Sequence, residues 1–422
     1  MRAGCSPPVP AAPDLLLTHA RLVAPGRVIE DSWVAVLAGR VSRLGTGTPP
    51  WGDDAPQTVD CGGDWLAPGF IDVHAHGGGG GDVMSPDAEA RRRVREVHAR
   101  HGTTAMLAST VSAPRAALYD AVCRLAADAA ASRTEDDGVT AADAPTRPAA
   151  RLVGIHLEGP FVSARRKGAH DQAHLRRPDG EELASLLSAG AGHVRTITLA
   201  PELPGGLELV SRAVAAGLVV ALGHTDADAD VLRQAVDRGA SALTHTYNCM
   251  RPLHHREPGG VGLGMDDERL ICELILDGVH VGPVAARALV RAAGTERVCL
   301  VTDAMAATGM PDGTYEVGGS RVEVVGGRVV LQGTDVLAAS TLTMGDAVRN
   351  AVRMLGLDVP TAVAMATTVP ARLLDSDEVG AVAVGRRADL VRLRADASLA
   401  TTYVGGREVT ACDPSTAPES VP

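Results

Sequence analysis

The sequence predicts an α/β protein: a (β/α)8 TIM-type barrel with a small β-sandwich domain formed by the N- and C-terminal segments. Two observations carry this prediction. Short apolar segments alternate with amphipathic, Ala- and Arg-rich segments from near Trp65 to near Ala304, which is typical of parallel βα units. Both ends of the chain instead show the alternating polarity of short antiparallel strands.

Eight apolar segments are candidate barrel strands, and together they span about 240 residues, close to the roughly 250 residues of most such barrels. They read WLAPGFIDVHAHG, GTTAMLAST, RLVGIHLEGP, VRTITLAPE, VVALGHT, ALTHTYN, ICELILDGVHV and VCLVTDA. A doubly wound sheet is the structural alternative. No GxGxxG motif follows the first strand, however, so nothing suggests the dinucleotide site of that fold.

The predicted domain boundaries follow from this alternation. Residues 13–60 and 380–412 would form the small β domain, and residues 61–379 the barrel. Residues 1–12 and 413–422 are predicted to be disordered tails.

Two segments interrupt the barrel pattern. Residues 131–150 are polar, acidic and proline-bearing, which predicts a mobile surface loop. Residues 308–333 contain hairpin signals in TYEVGGSRVEVVGGRVVLQG, directly after the eighth strand. An insertion there would lie at the C-terminal rim of the barrel, where active sites form.

Composition excludes several classes of protein. The 422 residues are 45% hydrophobic, enough for a large core, and 51 acidic against 40 basic residues give a net charge of -11. That charge argues against binding nucleic acid or an anionic membrane by electrostatics.

Seven widely spaced cysteines without a CxxC pair indicate reduced thiols. The start, MRAGCSPPVPAAPD, lacks the apolar core of a signal peptide, so we expect a cytoplasmic protein.

Polar residues follow the apolar part of several predicted strands. On the first strand, the two-residue period points His74 and His76 in the same direction, into the mouth of the barrel. The other strands that end in this way contribute Glu158, His224, His245 and Asp303. Parallel barrel strands deliver such residues to one face.

These six side chains together predict a metal centre. Imidazole and carboxylate donors suit one or two divalent ions of the zinc or iron type, and a carboxylate can bridge two ions. A single histidine at a strand end is more often a hydrogen-bonded rim residue, and we assign His98, His101 and His193 to that class. Six donors arriving at the same end of five strands are hard to explain in that way.

At the level of motifs, the sequence resembles the amidohydrolase superfamily and, within it, the N-acetylglucosamine-6-phosphate deacetylase family. The matching segments, in order, are PGFIDVHAHG, GIHLEGPF, KGAHD, GHTDA, THTYNCMRPLHHREPG, LDGVHV, LVTDAMAATG and LAASTLTM. The HxH motif is shared across the superfamily and is weakly specific, whereas HLEGPF, the loop ending in HHREPG, and DGVHV are specific to the deacetylases.

The resemblance implies roles for individual residues. A metal would be held by Glu158, His224 and His245, with Asp303 as the catalytic acid and base. Family members that replace the HxH motif resemble single-metal enzymes, so the presence of His74 and His76 here implies a second ion beside Glu158. The sugar phosphate and its acetyl group would contact Ala169, His170, Asn248, Cys249, Arg256, His280, Leu337, Ala338 and Ala339.

The resemblance also implies a homodimer in which Arg256 and His280 reach the site of the neighbouring subunit. Cys249 departs from the Ala or Gly common at its position, although a backbone contact would survive that change. His170 would help to stabilise the oxyanion and thereby take part in catalysis. The unique lysine, Lys167, has no role that the sequence reveals.

The expected function is therefore the metal-dependent hydrolysis of N-acetylglucosamine 6-phosphate to glucosamine 6-phosphate and acetate, in amino-sugar catabolism and cell-wall recycling. Alternative enzymes are a deacetylase of the galactosamine epimer and another amidohydrolase such as an aminoacylase. The non-enzyme alternative is a metal-free barrel that acts as an assembly protein. Such a protein would be expected to lose metal ligands, whereas all six positions are filled here.

Overall fold

The computed structural model describes residues 11–51, 57–134 and 147–409. Its strands are β1 (Leu15–Ala24), β2 (Arg27–Leu37), β3 (Arg40–Thr46), β4 (Thr58–Asp60), β5 (Trp65–Pro68), β6 (Phe70–Asp72), β7 (Gly77–Gly78), β8 (Gly81–Asp82), β9 (Thr103–Thr110), β10 (Arg151–Glu158), β11 (Val194–Leu199), β12 (Val219–Leu222), β13 (Ala242–Leu243), β14 (Ile271–Ile275), β15 (Val298–Val301), β16 (Gly313–Val317), β17 (Ser320–Val325), β18 (Arg328–Leu331), β19 (Leu390–Leu393), β20 (Leu399–Val404) and β21 (Arg407–Val409).

Helices separate the strands of the central part of the chain. They are α1 (Ala88–Arg100), α2 (Arg115–Thr134), α3 (Gly180–Ala189), α4 (Gly206–Ala215), α5 (Ala229–Asp237), α6 (Gly259–Asp266), α7 (Pro283–Ala293), α8 (Met344–Leu355), α9 (Val359–Met365) and α10 (Thr368–Leu373). No helix within the described ranges has the length and apolar character that a bilayer crossing needs.

Eight parallel strands form the barrel, in the order β6-β9-β10-β11-β12-β13-β14-β15. This confirms the predicted fold class and the eight predicted strands. Strands β9, β14 and β15 are buried along their whole length, because side chains fill the barrel on one face and helices cover the other. That double burial explains why the sequence shows continuous apolar runs rather than alternation.

The barrel closes between its first and last strands just beyond their ends. The backbone N–H of Asp303 donates to the carbonyl of His74 at 2.8 Å, and Ala75 and Ala304 form a parallel bridge. Below this point the buried carboxylate of Asp72 accepts a hydrogen bond of 2.5 Å from the Thr302 hydroxyl. The closure therefore places residues of the first and eighth strands side by side.

The predicted first barrel strand is in fact two strands. Trp65–Pro68 pairs with β1 and β19 in the terminal sheet, and only Phe70–Asp72 enters the barrel. The chain changes sheet at Gly69, where a Cβ atom would collide with the side chain of Thr104. A glycine is therefore needed where the two sheets meet.

The two ends of the chain share one sheet, in the order β21-β20-β19-β5-β1-β2-β3, with β4 paired to β1. Both of its faces are covered, because Leu15 and Leu17 pack in one apolar cluster and Leu16 packs in another with Trp33 and Trp51. This matches the small terminal β domain of the predicted fold class. The exact domain boundaries stay a prediction.

The two predicted interruptions have different outcomes. The insertion after strand eight is a three-stranded antiparallel sheet, β16-β17-β18, which confirms the predicted hairpins. Residues 131–134, by contrast, belong to helix α2 and not to a loop. The central part of the predicted loop, 135–146, lies outside the described residues, as do most of the predicted tails.

Candidate metal centre and active site

The six predicted donors come together at the C-terminal ends of the barrel strands. Each side chain is buried, and none has more than 8% of its residue surface exposed. In chain order they are His74 and His76 after β6, Glu158 at the end of β10, His224 after β12, His245 after β13 and Asp303 after β15. The prediction that these side chains converge is therefore confirmed.

Glu158 lies at the centre of this cluster. Its two carboxylate oxygens are surrounded by the Nε2 atoms of five histidines. Oε1 is 3.1 Å from His224, 3.2 Å from His245 and 3.3 Å from His74, and Oε2 is 3.3 Å from His170 and 3.4 Å from His76. One carboxylate thus contacts residues from the first, fifth and sixth strands of the barrel.

Hydrogen bonding alone cannot account for so many basic nitrogens around one acid. A carboxylate offers about four lone-pair sites, and five imidazoles exceed them. The Nε2 atoms of His74 and His76 are also only 3.2 Å apart, and those of His224 and His245 only 3.0 Å apart. Nitrogen lone pairs that face each other across such short gaps fit a shared divalent cation, which neutral imidazoles bind through Nε2.

The Nδ1 atoms support the same conclusion. His76 donates from Nδ1 to the carbonyl of Ser109 at 2.8 Å, and His224 donates to the carbonyl of Arg166 at 2.8 Å. A metal-ligating histidine typically donates its second N–H to a carbonyl or carboxylate, which fixes the tautomer. Both contacts fix the ring so that Nε2 is directed at the centre, where it can bind a cation once its proton is lost.

Two groups of donors can be distinguished among the described residues. In each group the ligand atoms lie within 4.8 Å of one another, and the groups are His74, His76 and Asp303, and Glu158, His170 and His224. His245 lies next to the group of Glu158, His170 and His224, because its Nε2 is 3.2 Å from Glu158 Oε1 and 3.0 Å from His224 Nε2. The donor set thus suits a divalent metal.

Charges within the cluster are mutually stabilising. Burial raises the pKa of Glu158, but the nearby His74 and His224 outweigh it and hold the pKa well below its ordinary value. Burial also raises the pKa of Asp303, yet the hydrogen bond from His76 and the charge of His74 bring the pKa to about 2. Both carboxylates are therefore ionised at neutral pH and available as acceptors.

The backbone is held in an unusual conformation at this centre. His224, His245 and Asp303 have φ angles of 48°, 30° and 52°, a region that residues with a side chain rarely adopt. Such conformations cost of order 1–3 kcal/mol each and persist where the surrounding structure imposes them. Here each turn follows the last residues of a buried strand and directs the side chain inward.

His170 is held as a neutral donor at the edge of the cluster. Its Nδ1 accepts from the backbone N–H of Ser112 at 3.2 Å and lies 2.8 Å from the Ser112 hydroxyl, so the proton resides on Nε2. Burial and then the charge of His224 lower the pKa of His170 to about 4. At neutral pH its Nε2–H can donate to an oxygen in the pocket.

A pocket of about 340 Å³ opens above these residues. Five of the metal-centre residues line it: His76, Glu158, His224, His245 and Asp303. Its walls also contain eight of the nine predicted substrate residues, namely Ala169, His170, Asn248, Cys249, His280, Leu337, Ala338 and Ala339. The ninth, Arg256, is exposed and lies outside this lining.

Arg256 belongs to an exposed loop. Its guanidinium lies 2.8 Å from the ring of His255, whose ring in turn packs against that of His254 with centroids 4.2 Å apart. The side chain of Leu253 in the same loop is 49% exposed. Within one chain, this loop does not bring Arg256 to the pocket.

Sequence reasoning missed three parts of the site. The turn at Val317 and Gly318, between β16 and β17, forms one wall of the pocket and approaches Val111 on another. Ser112 orients His170, and Glu273 contacts His74 from below. Of these, only Glu273 had a usable signal, since it is the one acid within the apolar run ICELI of strand β14.

Lys167, which had no predicted role, stabilises the loop that carries His170. Its Nζ donates to the carbonyls of Gly168 at 3.3 Å and His170 at 3.2 Å. The backbone N–H of His170 in turn donates to the Lys167 carbonyl at 3.0 Å. The ammonium group thus closes a compact turn beside the pocket.

Residues 65–409 match the model of the amidohydrolase family. The chain belongs to this family. The match confirms the resemblance and covers both the barrel and the strands β19–β21 of the terminal sheet. Because one fold can host many different reactions, membership of this family does not by itself identify the reaction or the substrate.

Several characterised relatives are similar to this amidohydrolase over most of its length. The N-acetylgalactosamine-6-phosphate deacetylase of Escherichia coli O157:H7 is 38% identical over 81% of this chain and 87% of its own. The N-acetylglucosamine-6-phosphate deacetylase of Vibrio furnissii is 38% identical over 82% of each chain. A solved structure of an N-acetyl-D-glucosamine-6-phosphate deacetylase mutant from Mycobacterium smegmatis, in complex with N-acetyl-D-glucosamine-6-phosphate, matches with a TM-score of 0.86. It is 37% identical and the match covers 95% of this chain and 100% of that one.

Replacing His224 or His245 with Gln should remove most bound metal, because each change removes an imidazole from the centre. The fold should remain, since both residues lie at the rim of the barrel rather than in its core. Elemental analysis measures the loss of metal, and the melting temperature shows whether the fold is retained. His193→Gln, outside the cluster, is the matched control. Full metal content in both rim variants would contradict the assignment.

Proposed function

We propose that this chain hydrolyses the N-acetyl group of N-acetylglucosamine 6-phosphate, releasing glucosamine 6-phosphate and acetate, in amino-sugar catabolism and cell-wall recycling. The observation that carries this proposal is the position of Asp303, whose Oδ1 lies 3.2 Å from His76 Nε2 at the base of a pocket about 340 Å³ in volume. An acid beside a metal centre, under a pocket of this size, suits hydrolysis of a small amide.

The catalytic roles follow from the contacts. A divalent ion held by these residues would supply Lewis acidity, which would make water more acidic and an amide carbonyl more electrophilic. Asp303, ionised at neutral pH, accepts a proton from the attacking water and returns it to the nitrogen of the departing amine. His170 donates from Nε2 to the carbonyl oxygen as negative charge develops there. The water oxygen bonds to the carbonyl carbon, the C–N bond breaks, the proton ends on the amine, and the acyl group leaves as acetate.

We assign the ligand set in two parts. Glu158, His224 and His245 would hold one ion, and His74 and His76, whose Nε2 atoms also lie within 3.4 Å of the Glu158 carboxylate, would hold a second. Nitrogen-rich sets with carboxylates suit zinc or iron. Asp303 lies close enough to His74 and His76 to contribute a ligand as well as to accept a proton.

The remaining pocket residues fit a sugar phosphate. Cys249 and Ala339 have φ angles of 49° and 55°, so the backbone turns at both positions where it lines the pocket. Such turns present peptide groups, which can bind sugar hydroxyls or phosphate oxygens. Asn248 and His280 line the same pocket and add polar side chains.

We also propose a homodimer in which Arg256 binds the phosphate in the neighbouring subunit. The exposed loop with Leu253 supports this, because an apolar side chain and a guanidinium are both exposed in one short segment, as a contact with a second chain would need. His280, unlike Arg256, lines the pocket of its own chain, where it would contribute to the same phosphate subsite. Its Nδ1 donates to Asp277 at 2.6 Å, which fixes the ring at the pocket wall.

We place the protein in the cytoplasm, because the five cysteines within the described residues are all free. Free thiols are typical of reducing compartments. Three of these cysteines, Cys61, Cys272 and Cys299, are buried.

A second candidate substrate is N-acetylgalactosamine 6-phosphate, since a relative with that activity is as similar as those acting on the glucosamine epimer. Acetate release from the two epimeric sugar phosphates distinguishes the candidates. We expect a higher kcat/KM for the glucosamine epimer and little turnover of N-acetylglucosamine without phosphate. A preference for the galactosamine epimer would favour the second candidate. Turnover of acetylated amino acids alone would overturn both.

Asp303→Asn should lower kcat by about 10²–10⁴-fold, because the amide keeps the size of the side chain but cannot accept a proton. Metal content should survive this change. Acetate release and elemental analysis are measured together, with Asp120→Asn on the exposed face of α2 as the control. Loss of metal in proportion to activity would instead make Asp303 primarily a ligand.

Arg256→Met should raise KM for the phosphorylated sugar and leave turnover of the unphosphorylated sugar nearly unchanged, because only the former loses a charge-assisted hydrogen bond. Mixing this variant with Asp303→Asn tests the dimer. A mixed dimer contains one site with both native residues only if Arg256 acts across subunits. Activity of the mixture above that of both separate variants supports the proposal, and no gain contradicts it.

A further inference from the structure

Strand β14 carries one acid in an otherwise apolar sequence. Glu273 stands between Cys272 and Leu274 in ICELI, and it has 1% of its surface exposed. Burying a carboxylate is costly unless charged or polar partners compensate. The position of Glu273 therefore has to be explained by what its oxygens contact.

Its contacts join two parts of the metal centre. Oε2 accepts from Nδ1 of His74 at 3.0 Å and from the backbone N–H of His245 at 3.2 Å. Oε1 is buried without a hydrogen-bond partner among the described residues. Of the two groups that donate to Oε2, the His74 ring is titratable and the backbone N–H of His245 is not.

The contact with His74 determines which nitrogen of that ring carries the proton. In the neutral ring that would bind a metal, Nδ1 donates to Glu273, so the lone pair of Nε2 faces Glu158 at 3.3 Å and Asp303 at 3.7 Å. His76 and His224 use backbone carbonyls for the same purpose. His74 is thus the one of these three histidines that is oriented by a charged group.

We propose that Glu273 is a positioning residue of the metal centre, whose carboxylate fixes the tautomer and ring orientation of His74 and thereby creates the ion site shared with His76. This inference rests on the ligand set proposed above. Carboxylates that accept from a ligating histidine make the imidazole a better donor, and losing them typically lowers metal affinity by about 10–100-fold. Glu273 acts through His74 and does not touch the ion.

Glu273→Gln tests the proposal. The amide keeps the size of the side chain and one oxygen that can accept from both His74 and the N–H of His245, as Oε2 does, so the change removes only the negative charge beside His74. Zinc bound per chain is measured by elemental analysis after dialysis against buffers of fixed free zinc. We expect the zinc affinity of the site at His74 and His76 to fall by about 10–100-fold. The affinity of the site at Glu158, His224 and His245 should stay unchanged.

Cys272→Ala is the matched control. This residue precedes Glu273 on the same strand and is equally buried, but its thiol faces the Gly264 carbonyl on the opposite side. The control should bind zinc as the wild type does. An equal loss in both variants, or a loss of both ions accompanied by a large drop in melting temperature, would show a structural role and overturn the proposal.

A double variant separates action through His74 from any other effect. In a His74→Ala background, adding Glu273→Gln should cause no further loss of zinc affinity, because the ring that Glu273 orients is already absent. A further loss of the same size as in the wild-type background would overturn the proposal. The proposal would also be overturned if the single variant His74→Ala bound zinc as tightly as the wild type does.

The proposed function is tested independently of this. If the wild type releases acetate from the sugar phosphate but Glu273→Gln keeps wild-type zinc affinity, the positioning role fails and the function stands. If Glu273→Gln lowers zinc affinity as expected while no sugar phosphate is hydrolysed, the positioning role stands and the function fails.

Discussion

The Glu158 carboxylate imposes the constraint on which the rest of the site depends. Five imidazoles face its two oxygens, and they come from the ends of different barrel strands and from the loop carrying His170. An eight-stranded parallel barrel can supply that arrangement because all of its strands end at one rim. The closure between the His74 carbonyl and the Asp303 amide then brings the first and last strands close enough to complete the cluster.

Much of this could be predicted from the sequence, because the decisive signals are local. The two-residue period of a strand placed His74 and His76 on one side, and a polar residue at the end of an apolar run indicated each of the other donors. These rules need only the direction of each strand. They hold because the barrel geometry leaves the ends of its strands little freedom.

What the sequence did not reveal depends on contacts between distant segments. The change of sheet at Gly69 requires knowledge of Thr104, and the pocket wall at Gly318 requires knowledge of Val111. The end of helix α2 was misplaced because the alanine-rich start of the predicted loop is compatible with a helix. Arg256 shows a further limit, since its proposed role depends on a second copy of the chain.

The arrangement around Lys167 has a practical consequence. It is the only lysine in 422 residues, and its ammonium group holds the carbonyls of the turn that leads to His170. Amine-directed reagents, such as succinimidyl dyes and aldehyde fixatives, therefore have one side-chain target, and it borders the pocket. Any such reagent that labels a lysine in this protein reports on, or disturbs, the turn beside the active site, so surface attachment of the protein calls for another chemistry.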